Sequence, residues 1–198
     1  MEAKLFNKWS FEGIKVEDPG LQRYVSLQPV IIPKTGAHYV GARFHKSDTN
    51  IIERFVNKIM VAGHKGKKHF ISSGKRTGKA ANALEIMKKT MEIIEERTKK
   101  NPILVVVKAL ENAAPREEII TIEYGGARYP KAVECAPQRR IDVAIRLMVQ
   151  GSFQKAFNKG KKAYETLAAE LINAYNLSNQ STAISKKLEM ERQSDSSR

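Results

Sequence analysis

One stretch among the 198 residues combines period-two alternation with a two-glycine turn. In IITIEYGGARYPKAVECAPQRR, Ile119 to Arg140, the residues Ile120, Ile122 and Tyr124 alternate with Thr121 and Glu123. Gly125-Gly126 supplies a turn, and Tyr129, Val133 and Cys135 share one face of the return segment. The pattern predicts a β-hairpin over about 118–135. A lone two-stranded ribbon is marginal in water, so a body must hold its base or a partner must line its length. Strands of about seven residues would reach ~23 Å. The tip, Tyr124, Gly125, Gly126, Ala127, Arg128 and Tyr129, offers rings for stacking and a cation for phosphate.

The other ordered stretches read as helices. NIIERFVNKIMVAG has Asn50 as N-cap, Glu53 to complete a capping box, and Gly63 as a stop. A longer helix covers about 78–100, with Ala80, Ala83, Leu84, Met87, Met91 and Ile94 on its apolar stripe. PILVVVKALENAAP fits a buried strand or a helix. Asn101-Pro102 favours a helix, as a cap followed by a first turn. RRIDVAIRLMVQG is expected to end at Gly151. A helix lined by Tyr164, Leu167, Ala168, Leu171, Ile172 and Tyr175 follows, and STAISKKLEMERQ adds a weaker one before a polar tail. The expectation is a mainly α protein: a bundle of about six helices over 48–198, one protruding hairpin, and an N-terminal extension over 1–47. In that extension Pro29–Lys46 reads as an extended arm whose Lys34, Arg43 and Lys46 meet no acid.

Thirty-five Lys and Arg against twenty-one Asp and Glu leave a net charge of +14. Such an excess favours a polyanion, through attraction to phosphates and release of condensed counterions. A membrane partner is not expected, because no apolar run approaches the ~20 residues that span a bilayer. One cysteine, Cys135, excludes an internal disulfide and a multi-cysteine metal site, and reads as a buried thiol.

HKGKKHFISSGKRTGK, His64 to Lys79, concentrates Lys65, Lys67, Lys68, Lys75, Arg76 and Lys79 without an acid. Its glycines and serines leave backbone amides for phosphate oxygens, which suits RNA. A nucleotide-binding loop does not fit. Three residues rather than four separate Gly74 from Gly78, and Ala80 stands where a magnesium-binding hydroxyl is needed. The histidines His38, His45, His64 and His69 lack metal-ligand spacing, no serine sits in a nucleophile elbow, and Glu165 and Glu170 read as solvated. No catalytic residue, metal or cofactor is therefore expected.

Arg139 and Arg140 follow Pro137 at a helix start, where the macrodipole disfavours cations. Two readings stay open: an anion such as phosphate sits between them, or both point to water. A nucleotide-dependent or RNA-modifying enzyme, and a DNA-binding helical regulator, also stay open as functions.

NIIERFVNKIMVAG, NPILVVVKALENAAPREE, EYGGARYPKAVECAPQRRIDVAIRLMV, AYETLAAELINAY and TAISKKLEMER, in this order, resemble the small-subunit ribosomal protein seven family, in its archaeal branch. The ALENAAPREE and YGG…YPKAVE…PQRR blocks are specific, and the likeness covers nearly the whole chain. The resemblance implies a helical bundle with a protruding hairpin in the cytoplasmic small ribosomal subunit. It implies primary binding to the 3′ major domain of 16S rRNA and nucleation of the subunit head. The hairpin tip would lie near exit-site tRNA and mRNA, with head and platform proteins nine and eleven as neighbours. The rRNA surface would comprise Lys34, Arg43, Lys46, the loop cations, Lys131, Arg139 and Arg140, extended by Lys155, Lys159, Lys161 and Lys162. The basic loop is longer than in bacterial members, the bacterial aromatic tail is missing and the N-terminal arm differs. Charge alone supports the assignments there.

Overall fold

The computed structural model describes residues 3–38, 40–63 and 78–198. The expected RNA-binding residues Lys65, Lys67, Lys68, Lys75 and Arg76 lie outside the described residues. Among those described, the elements are α1 (Pro19–Gln22), α2 (His45–Asp48), α3 (Ile51–Ile59), α4 (Ala80–Thr98), α5 (Pro102–Ala113), β1 (Glu117–Tyr124), β2 (Ala127–Glu134), α6 (Pro137–Ala156), α7 (Ala163–Tyr175) and α8 (Thr182–Asp195). Six of the helices are long enough to pack as a bundle, and α1 and α2 are single turns. The mainly α architecture with one hairpin is as expected from the sequence.

The cap residues act largely as their chemistry dictates. Asn50 accepts from the Ile52 amide at 2.9 Å and Asn101 from the Ile103 amide at 3.0 Å, each opening its helix. Helix α5 is buried almost all round, which is why PILVVVKAL shows no clean stripe. Helix α7 packs against α4, α5 and α6 and forms the middle of the bundle. Cys135 is buried at the hairpin's end; burial, then the nearby Glu118 charge, pushes its thiol up to about 11.

Four local expectations are corrected. Glu53 does not close a capping box. Its carboxylate accepts from both the amide (2.9 Å) and the hydroxyl (2.7 Å) of Thr35, and so fastens the Pro29–Lys46 segment onto α3. Gly151 does not end a helix, since α6 runs on to Ala156. A Cβ at 151 would lie 2.6 Å from the Thr182 Cβ, so this glycine lets the start of α8 cross α6 closely. Glu170 is not solvated but 1% exposed. It accepts from Lys155 Nζ (2.6 Å), Ser181 Oγ (2.8 Å) and the Ala183 amide (3.1 Å), and thereby caps α8.

The fourth correction concerns the N-terminal extension, which does not stand apart from the body as one arm. Leu5, Trp9, Phe11, Val16, Leu21 and Val25 join the same core as the bundle, and Trp9 Nε1 donates to Glu95 at 3.0 Å. In the later part the large apolar side chains Ile31, Ile32, Val40 and Phe44 are instead exposed. The hydrophobic spacing before Val25 has no period, so it gave no sign of packing.

Candidate nucleic-acid interface

Strand β1 pairs with β2 antiparallel, from Glu117 opposite Glu134 to Tyr124 opposite Ala127, which leaves Gly125-Gly126 as a two-residue loop. Both glycines have positive φ, 57° and 82°, as the primed turn that matches strand twist requires. Counting from that turn, Pro130 opposite Thr121 falls at a non-hydrogen-bonded pair, where its missing N–H costs no ladder bond. Every residue from Ile120 to Lys131 is exposed, so more than half of the ribbon stands clear of the body. Tyr124 is 81% exposed at the tip, and Arg128 lies 3.7 Å from Glu123 across the strands.

The base is clasped. The Cys135 amide donates to the Arg116 carbonyl at 2.9 Å, and α8 packs along both strands. Arg139 forks onto both carboxylate oxygens of Glu118, and Arg198 pairs with Glu117. Arg140 donates to Asp18 at 2.8 Å and to the Pro115 carbonyl at 3.1 Å. Burial acts to raise the Asp18 carboxyl, but hydrogen bonds from Arg140 and the Gly20 amide outweigh it and hold the group below its ordinary value. The anions that answer the two arginines are thus carboxylates of the chain, an alternative to phosphate or water that the sequence reading did not weigh.

Beside this base lies a basin of about 880 Å³, open to solvent, between the segment 34–46, α3 and the first half of α6. It brings together Lys34, Lys46 and Arg139 with three cations that the sequence reading missed, Arg54, Lys58 and Arg146. Asp142 serves two of them, Arg54 at 2.9 Å and Lys46 at 3.0 Å. Burial acts to raise its carboxyl too, and hydrogen bonds from Lys46 and Arg54 carry the net shift downward. Among the described residues, Lys34, Lys58 and Arg146 have no acidic partner within ion-pair distance. Lys58 is held below its ordinary value, first by burial and then by the Arg146 charge. A signal for these cations existed: Arg146 follows Arg139 by seven residues and Lys58 follows Arg54 by four, so each pair shares a helix face.

The other expected residues fall around this basin or away from it. Arg43 is not among the basin's lining residues, and its guanidinium lies 5.0 Å from the Phe44 ring centre. Lys79 is exposed just before α4, whose first residue, Ala80, lines the basin. The Gly78 amide donates to the carbonyl of Met60, another lining residue, at 3.3 Å. Lys131 stands on the exposed ribbon opposite Ile120. Lys155 is taken up by Glu170 and the Gln180 carbonyl. Lys159, Lys161 and Lys162 are exposed in the α6–α7 turn, roughly 30 Å along the α6 axis from Arg139. The expected single surface is therefore two: the basin with the hairpin base, and this distal lysine turn.

Among the described residues no group of three or more His, Cys, Asp and Glu could hold a metal ion. Among the described residues no helix is long and apolar enough to cross a membrane.

Comparison with known proteins gives a consistent result. Residues 21–198 match the family described as ribosomal protein S7p/S5e. The chain is 54% identical, over the full length of both, to the small ribosomal subunit protein uS7 of Nanoarchaeum equitans. It is 43% identical to the protein of the same name from Methanococcoides burtonii, with 93% of each chain covered. Against that of Methanosphaera stadtmanae the identity is 42%, with 97% of each covered. With the clasped hairpin, the helical bundle and a family match over most of its length, this chain belongs to the ribosomal protein S7p/S5e family.

Proposed function

We propose that the chain is a structural, non-catalytic constituent of the small ribosomal subunit that grips rRNA phosphates in the basin between α3 and α6. Family membership supports the subunit role. The observation that carries the basin is Lys58, partly buried beside Arg146; the carboxylate it feels, Asp142, is already paired with Arg54 and Lys46. A cation so placed costs the free protein stability, and an RNA phosphate would supply the missing anion. Lys34, Arg43 and Lys79 extend the surface, and Lys159, Lys161 and Lys162 form a second contact. Arg139 and Arg140 shape the surface by fixing the hairpin to the body.

The RNA is the 3′ major domain of 16S rRNA, and binding there nucleates the head. The hairpin, exposed from Ile120 to Lys131, carries its tip toward exit-site tRNA and mRNA, with head and platform proteins nine and eleven adjacent. Binding of the full chain to a transcript of that rRNA domain, titrated with salt and competed with duplex DNA, tests this. Neutralising three phosphates at the basin predicts log K falling against log salt with a slope of about −2 to −3 from this site alone. A salt-insensitive affinity, or a preference for the duplex, would overturn the proposal.

A further inference from the structure

Next in sequence to the basin's lining, Phe44 adopts a left-handed backbone conformation, φ 62° and ψ 20°. It directly precedes His45 and Lys46, which line the cavity. A residue with a bulky side chain is strained in that region, and this ring is also 70% exposed. Phe6 shares the conformation, at φ 51°, but has a reason for it. Its ring packs on the core, edge-on to Trp9 with centroids 6.2 Å apart. Phe44 has no such compensation from the core. Its ring contact among the described residues is Arg43, at 5.0 Å.

An exposed ring backed by a guanidinium, beside cations without acidic partners, is the chemistry that receives a nucleobase. Every base has a face to stack, and the cations take the phosphates on either side. The charge around Phe44 decides between occupants. Lys34 and Arg43 lie in the same segment and have no acidic partner in ion-pair distance among the described residues, which suits a polyanion better than the apolar face of a protein. We propose that Phe44, backed by Arg43, is a stacking platform for one unpaired RNA base whose flanking phosphates enter the basin. The inference rests on the proposed RNA-binding role of that basin.

The test uses the full chain, its Phe44→Asn and Phe44→Tyr variants, a transcript of the 3′ major domain, and an abasic ribose-phosphate oligomer. Asparagine tolerates the left-handed region, so Phe44→Asn should melt no lower than the parent while losing about five- to a hundredfold in transcript affinity. Phe44→Tyr should keep the affinity, the salt slope should stay the same in all three, and the abasic oligomer should bind all three alike. If Phe44→Asn binds the transcript as tightly as the parent, the platform is overturned while the basin stands. If the parent itself binds neither RNA, the basin reading has failed. Loss of incorporation into small subunits at unchanged transcript affinity would overturn the base and assign Phe44 to a protein neighbour.

Discussion

The hairpin base and the basin are adjacent, both rich in cations, and built on opposite principles. At the base, Arg139 and Arg140 are occupied by Glu118 and Asp18. In the basin, Lys34 and Arg146 are exposed and Lys58 is half-buried, and among the described residues none of the three has a carboxylate within ion-pair distance. A charge that is paired within the chain builds structure, while one left unpaired is available to a partner. The net charge of +14 does not distinguish the two kinds. A positive residue in a basic protein is thus weak evidence of RNA contact until its carboxylates have been counted.

The contrast can be broken most directly from the basin side. Replacing Lys58 and Arg146 together with Ala should lower rRNA affinity by roughly fiftyfold near 0.1 M salt and reduce the salt slope by about 2. Stability should hold or rise, because an uncompensated cluster is relieved. Parallel salt titrations and thermal melts check both signs; an unchanged slope would put the phosphates elsewhere.

The opposite signature is expected at the base. Arg140→Ala strands Asp18 and the Pro115 carbonyl, both partly shielded from water, and should cost about 2 kcal/mol of stability after allowance for their exposure. Its salt slope for rRNA should change by much less than that of the basin variant. Denaturant unfolding beside RNA titration separates these outcomes, and a slope falling by a full unit would make Arg140 a phosphate ligand after all.

The smallest effect is on pH. Asp18 and Asp142 are both held below the ordinary carboxylate range in the fold. Their contribution is fully present above the unfolded-chain value near 3.9 and is lost as pH falls through the lower folded values. Stability from these two groups should therefore be flat from neutrality to about pH 5 and decline below about pH 4. Asp142→Asn should flatten part of that acid decline. A decline that begins near pH 6 instead would point to another group.

Much of the fold was legible because its signals are local. Asn50 and Asn101 announce helix starts through bonds to amides two residues on, and Gly125-Gly126 specifies a primed turn by itself. The misreadings came where a residue is governed by a distant segment. Glu53 looked like a capping partner for Asn50, but is taken by Thr35. Gly151 looked like a stop, but accommodates Thr182. Glu170 looked solvated because its partners, Lys155 and Ser181, lie fifteen and eleven residues away.

The sequence by itself determined the helices, the hairpin with its turn, the basic character and the family, since periodicity, turn chemistry and motif blocks are written in consecutive residues. Only the tertiary structure decided which cations are spent and which are open. Arg140 meets Asp18 across 122 positions of sequence, and Arg54 meets Asp142 across 88. Ion pairing depends on distances of a few ångströms in space, and a linear pattern does not contain them until the chain has folded.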